Sequence, residues 1–249
     1  MDKESFLQWL SSEIPETLFP QIAAQVLFHC ENCGECCRGE GYAVVDGGDI
    51  EAIAQALAIR PVQARARFTD PDPEKNPGCR ILKSTGSERS CCLLDQQTGR
   101  CTIYCQRPRV CRTFPMIVEP AGTGEIISFY SDCRGTAKFV EMLREKRNDP
   151  LVREEVESLA CEEERMQDLQ IMLFIWLSRM IGETDQAEQI CSATKVSLPR
   201  DGRSFQKDCL AYFLMTITTD GLDEYEYDGM AIGNIEEKSK IEDGTKRKN

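Results

Sequence analysis

The sequence has 249 residues, with 14 cysteines, one histidine, and 30 basic against 42 acidic side chains. At 41% hydrophobic and 29% charged it has the composition of a globular protein with room for one large domain or two small ones. Collagen, coiled-coil and mucin classes are excluded. The charge of -12 is uneven: residues 30–149 are balanced, whereas residues 150–249 carry 12 basic and 21 acidic groups. No region has the surplus of Lys and Arg that phosphate contacts demand, so no nucleic-acid partner is expected.

Two apolar patches, Phe6–Leu10 and Ile22–Phe28, are separated by Pro15 and Pro20 and predict short helices leading into the first cysteines. The amino terminus lacks the apolar core of a secretory signal. The longest apolar stretch, Leu169–Leu177, is about half the roughly 20 residues of a membrane span. No membrane span and a cytoplasmic location are therefore expected. Tyr42–Val45 reads as a strand, and Asp49 as the N-cap of a helix with Ile50, Ile53, Ala54 and Leu57 on one face. Pro61 opens a second helix ending near Phe68.

Residues 70–78, with three prolines, read as a loop, followed by short strands at Cys79–Leu82 and Cys91–Leu94. One helical turn is expected after Pro108, then a hairpin pairing Met116–Glu119 with Glu125–Tyr130 across AGTG. From Pro150 the pattern predicts a helix of up to 33 residues stopping at Gly182, and another over Phe205–Ile217. After Asp220 the chain is polar and charge-rich, and a disordered tail is expected. The division expected is 1–149 for a cysteine-rich domain with N-terminal helices, 150–219 for a helical extension and 220–249 for the tail. The fold class is α+β: a loop-dominated, cysteine-rich metal-binding core with short strands, packed against N- and C-terminal helices.

Eleven of the 14 cysteines fall between Cys30 and Cys133. In a reducing compartment such an array is expected to hold metal rather than disulfides. The opening run is Cys30-x2-Cys33-x2-Cys36-Cys37, whose two-residue gaps let a tight turn direct successive sulfurs to one centre. Because Cys36 and Cys37 are consecutive, their side chains diverge, to different irons of one cluster or to two centres. Downstream come CLLD from Cys92, CTIY from Cys101, RPRVCRTFP around Cys111, and Cys133.

In that order these segments resemble the YkgJ-type cysteine-cluster family, the zinc- or iron-chelating CxxCxxCC domains, over roughly residues 28–135. The resemblance implies eight metal ligands: Cys30, Cys33, Cys36, Cys37, Cys92, Cys101, Cys111 and Cys133. Cys79, Cys91 and Cys105 depart from the pattern. Thiolate-only ligation suits zinc or an iron–sulfur cluster. Relatives that include flagellin lysine N-methylases tilt the reading toward iron, as a [4Fe-4S] cluster, and bring S-adenosylmethionine into view. The Cys-x3-Cys-x2-Cys triplet of radical enzymes is absent.

Three function classes follow. One is a protein whose zinc or iron–sulfur centre is structural or redox-active and serves a protein partner. Another is an S-adenosylmethionine-dependent methyltransferase acting on a protein lysine, which tight cofactor binding would mark. The third is a metal chaperone or store, which labile metal would mark.

Among the remaining residues, His29 reads as a packed or exposed side chain rather than a ligand. Arg107, Arg109 and Arg112 surround Cys111 and offset thiolate charge. Asp95 and Tyr104 lie near ligands without forming a catalytic pair, and Cys161, Cys191 and Cys209 read as packing residues. VVDGGD and AGTGE read as turns, since neither has nucleotide-binding spacing.

Overall fold

The computed structural model describes residues 2–15, 18–38, 42–74, 76–121, 124–129 and 133–217. Helices and small antiparallel sheets share the chain, so the fold is α+β, as expected. The chain divides into two compact units, one formed by Cys30–Pro115 and the other by the segments before and after it. The expected tail after Asp220 lies outside the described residues.

The flanking unit opens with α1 (Lys3–Glu13), capped by the Asp2 carboxylate on Ser5 N–H, and α2 (Leu18–Leu27). In the middle unit, β1 (Val44–Val45) runs into α3 (Gly47–Ala56), and α4 (Pro61–Phe68) follows. The cap of α3 is Asp46, not Asp49. Asp46 accepts from Asp49 N–H at 3.0 Å while Asp49 accepts from Asp46 N–H at 3.3 Å, a reciprocal box. The segment VVDGGD is therefore a strand-to-helix junction rather than a plain turn. α4 starts at Pro61, whose missing N–H costs nothing in a first turn.

β2 (Thr69–Pro71) and β3 (Arg80–Leu82) join β1 in a sheet of order β1-β3-β2, all antiparallel. The expected loop over 70–78 thus begins as a strand, with Asp70 opposite Ile81. A carboxylate turn follows, Asp72 accepting from the backbones of Glu74 and Asn76. β4 (Ser84–Thr85) pairs with β5 (Ser90–Cys91), and α5 (Arg109–Thr113) is the expected turn after Pro108. The core of this unit is small: Val45, Ile50, Ile53, Ala54, Ala64, Leu82, Leu93 and Ile103, with Cys91, Cys92 and Cys101 partly buried against it.

Past Pro115, β6 (Met116–Ala121) and β7 (Gly124–Phe129) form the expected hairpin, Met116 opposite Phe129. Then come α6 (Arg134–Arg147), α7 (Pro150–Cys161), α8 (Glu163–Met180), α9 (Thr184–Thr194) and α10 (Gly202–Thr216). Gly135 on α6 faces the Phe28 ring, where a Cβ would meet a ring carbon at 2.7 Å.

The single long helix expected from Pro150 is two helices, broken at Glu162, whose φ and ψ of -106° and 80° are not helical. The reason is electrostatic. Ten residues of straight helix would hold Glu155 and Arg165 about 15 Å apart along the axis. Across the break, Arg165 instead pairs with Glu155, with Glu162 at 3.6 Å, and with Asp208 of α10. α8 then buries Leu169, Ile171, Leu173, Phe174 and Ile175, and Phe174 meets Phe6 and Trp9 edge-on at 5.9 and 5.6 Å. Each such aliphatic or aromatic side chain contributes about 1.5–3 kcal/mol on burial. Cys209 is wholly buried and Cys191 packs at the core edge, as expected, but Cys161 is exposed.

No helix of the described residues is long and apolar enough to cross a membrane.

Candidate metal centre

The cysteines of Cys30–Pro115 are held by turns whose geometry the sequence dictates. The Cys30–Cys37 run passes through Gly34 at φ +74°, a left-handed conformation that glycine adopts without a Cβ penalty. Only glycine fits for a second reason, since a Cβ there would lie 2.1 Å from the Gly99 carbonyl oxygen. Gly99 itself has φ +67° and ends a turn in which Asp95 accepts from Gln97 and Thr98 N–H at 2.8 and 3.1 Å. The two glycines thus press the first cysteine loop against the turn leading to Cys101. Asp95 is a turn-forming residue.

After Gly34, a one-turn helix over Glu35–Cys37 closes with Cys37 N–H on the Gly34 carbonyl at 3.1 Å. β5 delivers Cys91 opposite Ser84, and Cys92 N–H bonds Lys83 O at 2.9 Å. Leu94 bridges to Cys101. Cys111 rides on α5, whose first N–H, that of Arg109, donates to Asp49 at 2.9 Å. Asp49 is buried, which pushes its carboxyl up, with the Arg109 N–H and the Arg112 charge opposing. The Arg109 guanidinium also pairs with Asp46. The helix cap of α3 is therefore also the anchor of the Cys111 helix.

These elements bring thiols close enough to shift one another's protonation, Cys37 acting on Cys36 and Cys91, and Cys92 on Cys91. The proximity of Cys37 holds the Cys36 thiol below its ordinary range, and that of Cys37 and Cys92 does the same for Cys91. Their neighbours move the other way, Cys37 raised by Cys36 and Cys91, and Cys92 by Cys91. Negative charge therefore settles on Cys36 and Cys91. Cys111 is pushed up to about 12, by burial first and then by the charges of Cys91, Cys36 and Cys101, against the pull of Arg107. Cys101 is likewise raised by burial, and it too feels Cys91, Arg107 and Cys36.

Cys91, set aside in the sequence as departing from the pattern, thus stands at the centre of the group. Cys92 has its sulfur 3.5 Å from the Phe68 carbonyl, to which its S–H donates, at the edge of the group. The doublet Cys91-Cys92 repeats the doublet Cys36-Cys37, and that repetition is the signal that would have marked it.

Of the eight cysteines singled out, Cys36, Cys37, Cys92, Cys101 and Cys111 are tied to one another through contact or field. Cys30 is exposed, its sulfur accepting from Asn32 N–H at 3.4 Å. Cys33 is half-buried in the same loop. Cys133 belongs to the other unit, at the N-cap of α6. Cys79 sits in the turn after Gly78 and Cys105 on an exposed helical turn. His29 is exposed and its Nδ1–H donates to the Leu27 carbonyl at 3.0 Å, which leaves it a local role.

Two cations serve the group differently. Arg107 lies over the Tyr104 ring with its guanidinium carbon 4.2 Å from the centroid, and its charge favours the thiolate forms of Cys36, Cys101 and Cys111. Arg112 donates its Nε–H to the Arg107 carbonyl at 2.7 Å and so fixes the turn between them. Arg109 is committed to Asp46 and Asp49.

Among the described residues, no three His, Cys, Asp or Glu side chains are already spaced as ligands of one ion. Sulfurs bound to one zinc at about 2.3 Å stand about 3.8 Å apart, so these thiols must draw together to take up a metal. The donor set fits a thiophilic ion: soft sulfurs, two of them biased to the thiolate, partial burial and a cation at the rim.

Residues 29–137 match the CxxCxxCC family. That family is described as a "Putative zinc- or iron-chelating domain", and its span takes in all eleven cysteines from Cys30 to Cys133. An uncharacterized protein of Methanocaldococcus jannaschii is similar, 31% identical over 115 residues, or 44% of this chain. The chain spans 58% of that relative's length. No solved structure matches the chain. Chemistry and comparison agree on metal binding by the CxxCxxCC segment.

Proposed function

We propose that the CxxCxxCC segment binds an iron–sulfur cluster through Cys36, Cys37, Cys91, Cys101 and Cys111, with Cys92 at the edge and Cys30 and Cys33 in the flanking loop. The observation that carries this is the close packing of the Cys30–Cys37 loop on the Gly99 turn leading to Cys101, with Cys36, Cys91, Cys101 and Cys111 within electrostatic reach of one another. A single tetrahedral zinc is satisfied by four ligands. More than four thiols carried on neighbouring turns, with Arg107 to balance the charge, favour a polynuclear centre with thiolate ligands and bridging sulfide. Bound there, the cluster would supply one-electron chemistry. The chain's own residues hold it: Gly34 and Gly99 set the loops, Asp49 holds the Cys111 helix, and burial against Leu93 and Ile103 excludes water from one side.

The test is anaerobic purification with an absorption spectrum and assay of iron, zinc and acid-labile sulfide on one sample. Matched iron and sulfide with a broad band near ~400 nm is the expected result. A colourless protein holding zinc overturns the cluster and leaves a structural thiolate site. Metal-free protein that takes up neither ion on reconstitution overturns metal binding altogether.

A further inference from the structure

The Nε of Arg107 is buried and has no hydrogen-bond partner among the described residues. A buried, charged guanidinium N–H without an acceptor is costly, so it marks a place where an acceptor belongs. The rest of the side chain is fixed. Its guanidinium stacks on Tyr104 with its carbon 4.2 Å from the ring centroid. Its carbonyl accepts from Arg112, and Pro108 follows, so both backbone and side chain are restrained. The guanidinium so held lies within electrostatic reach of Cys36, Cys101 and Cys111, three sulfurs delivered by three different elements.

We propose that Arg107 is a positioning residue of the metal centre, donating its Nε–H to a metal-bound sulfur and so stabilising the more negative state of the centre. The inference rests on the metal-binding reading above. It adds that the acceptor missing from Arg107 is the ligated sulfur itself, a thiolate of Cys36, Cys101 or Cys111 or a bridging sulfide. Hydrogen bonds to ligated sulfur withdraw electron density, which tightens retention of an anionic centre and raises its reduction potential. Tyr104 is the platform, since stacking keeps the guanidinium plane in place as metal enters.

The experiment compares wild type with Arg107→Gln and Arg107→Lys, each reconstituted anaerobically with iron and sulfide and, separately, with zinc. Folding is followed by circular dichroism. Wild type is expected to hold metal, and Arg107→Gln to lose about 10–100-fold in affinity, the usual effect of removing a hydrogen bond to a ligand. Its cluster should also show a lower midpoint potential. Arg107→Lys keeps the charge without the Nε–H, so it should recover only part of both quantities. Equal affinity and potential in wild type and Arg107→Gln overturn the proposal, as does full recovery in Arg107→Lys. If wild type itself binds neither metal, the metal reading fails first and the proposal with it, a distinguishable outcome.

A second measurement uses the unmutated protein and so does not depend on folding of a variant. In zinc-loaded, 15N-labelled protein the Arg107 Nε–H resonance should shift and its solvent exchange should slow on loading. An unchanged resonance overturns the proposal.

Discussion

Among the described residues, 30–115 bury a core of eight side chains, two of them alanines, whereas the flanking unit buries twenty-four, among them Phe6, Phe19, Phe139, Phe174, Phe205 and Phe213. The flanking unit is built from helices of ten or more residues and one hairpin. The middle unit relies on strands of two and three residues, turns and left-handed glycines. A core of that size supplies little stability beyond the entropy it must offset. Thiols packed at its edge are where additional binding free energy can enter. The contrast teaches that apolar burial holds one unit together, while the other leaves its cohesion to turns and, on the proposed function, to ligation.

The largest effect expected is that of metal removal, because a structural metal contributes on the order of 10 kcal/mol to the fold it closes. Stripping with a strong chelator should open cleavage sites for a protease between residues 30 and 115 while most helical circular dichroism persists. Uniform loss of helix across the chain would erase the contrast. Next, Leu169→Ala or Ile171→Ala should destabilise the helical unit by about 2–5 kcal/mol through an unfilled cavity, read as a lower thermal midpoint. Metal content of that variant should not change.

Gly34→Ala sharpens the comparison from the other side. It places a Cβ at positive φ, costing about 1–2 kcal/mol, and against a backbone oxygen that cannot swing away. The expected outcome is reduced metal retention with an unchanged thermal transition of the helical unit. Asp49→Asn should cost about 1–2 kcal/mol in the middle unit, since it weakens both the α3 cap and the bond to Arg109. Slower metal uptake by that variant is the readout.

The smallest effect is on pH dependence. Hydrogen bonds from Lys207 and then Arg165 hold the Glu155 carboxyl below its ordinary value of 4.5. A depressed carboxylate adds stability that is complete above its unfolded value and lost as pH falls through the folded one. Acid unfolding of the helical unit should therefore steepen below about pH 4.5, and Lys207→Gln should flatten that slope. A slope unaffected by Lys207→Gln would assign acid sensitivity to other groups.

The elements with strong local signals were legible in sequence. Pro61 and the hydrophobic ending at Phe68 bound α4 to the residue, and AGTG marks the hairpin. What sequence patterning hid was set by tertiary charge and by doubled residues. The break at Glu162 arises because Arg165 finds Glu155 and Asp208, a pairing no helical period reveals. α6 and α9 were missed because their apolar positions, such as Phe139, Val140 and Leu143, are diluted by charged neighbours. The cap shifted from Asp49 to Asp46 because either aspartate satisfies the N-cap rule and only the reciprocal bonds decide. At the site, spacing identified the cysteine array but not the member at its centre, since in the pair Cys91-Cys92 only the fold shows which sulfur turns toward Cys37.

The measurement that tests the central claim most directly is metal bound per chain in Cys91→Ser against Cys105→Ser, purified side by side without oxygen. The account predicts that Cys91→Ser loses most of its metal and Cys105→Ser keeps the wild-type amount. Full metal in Cys91→Ser would contradict it.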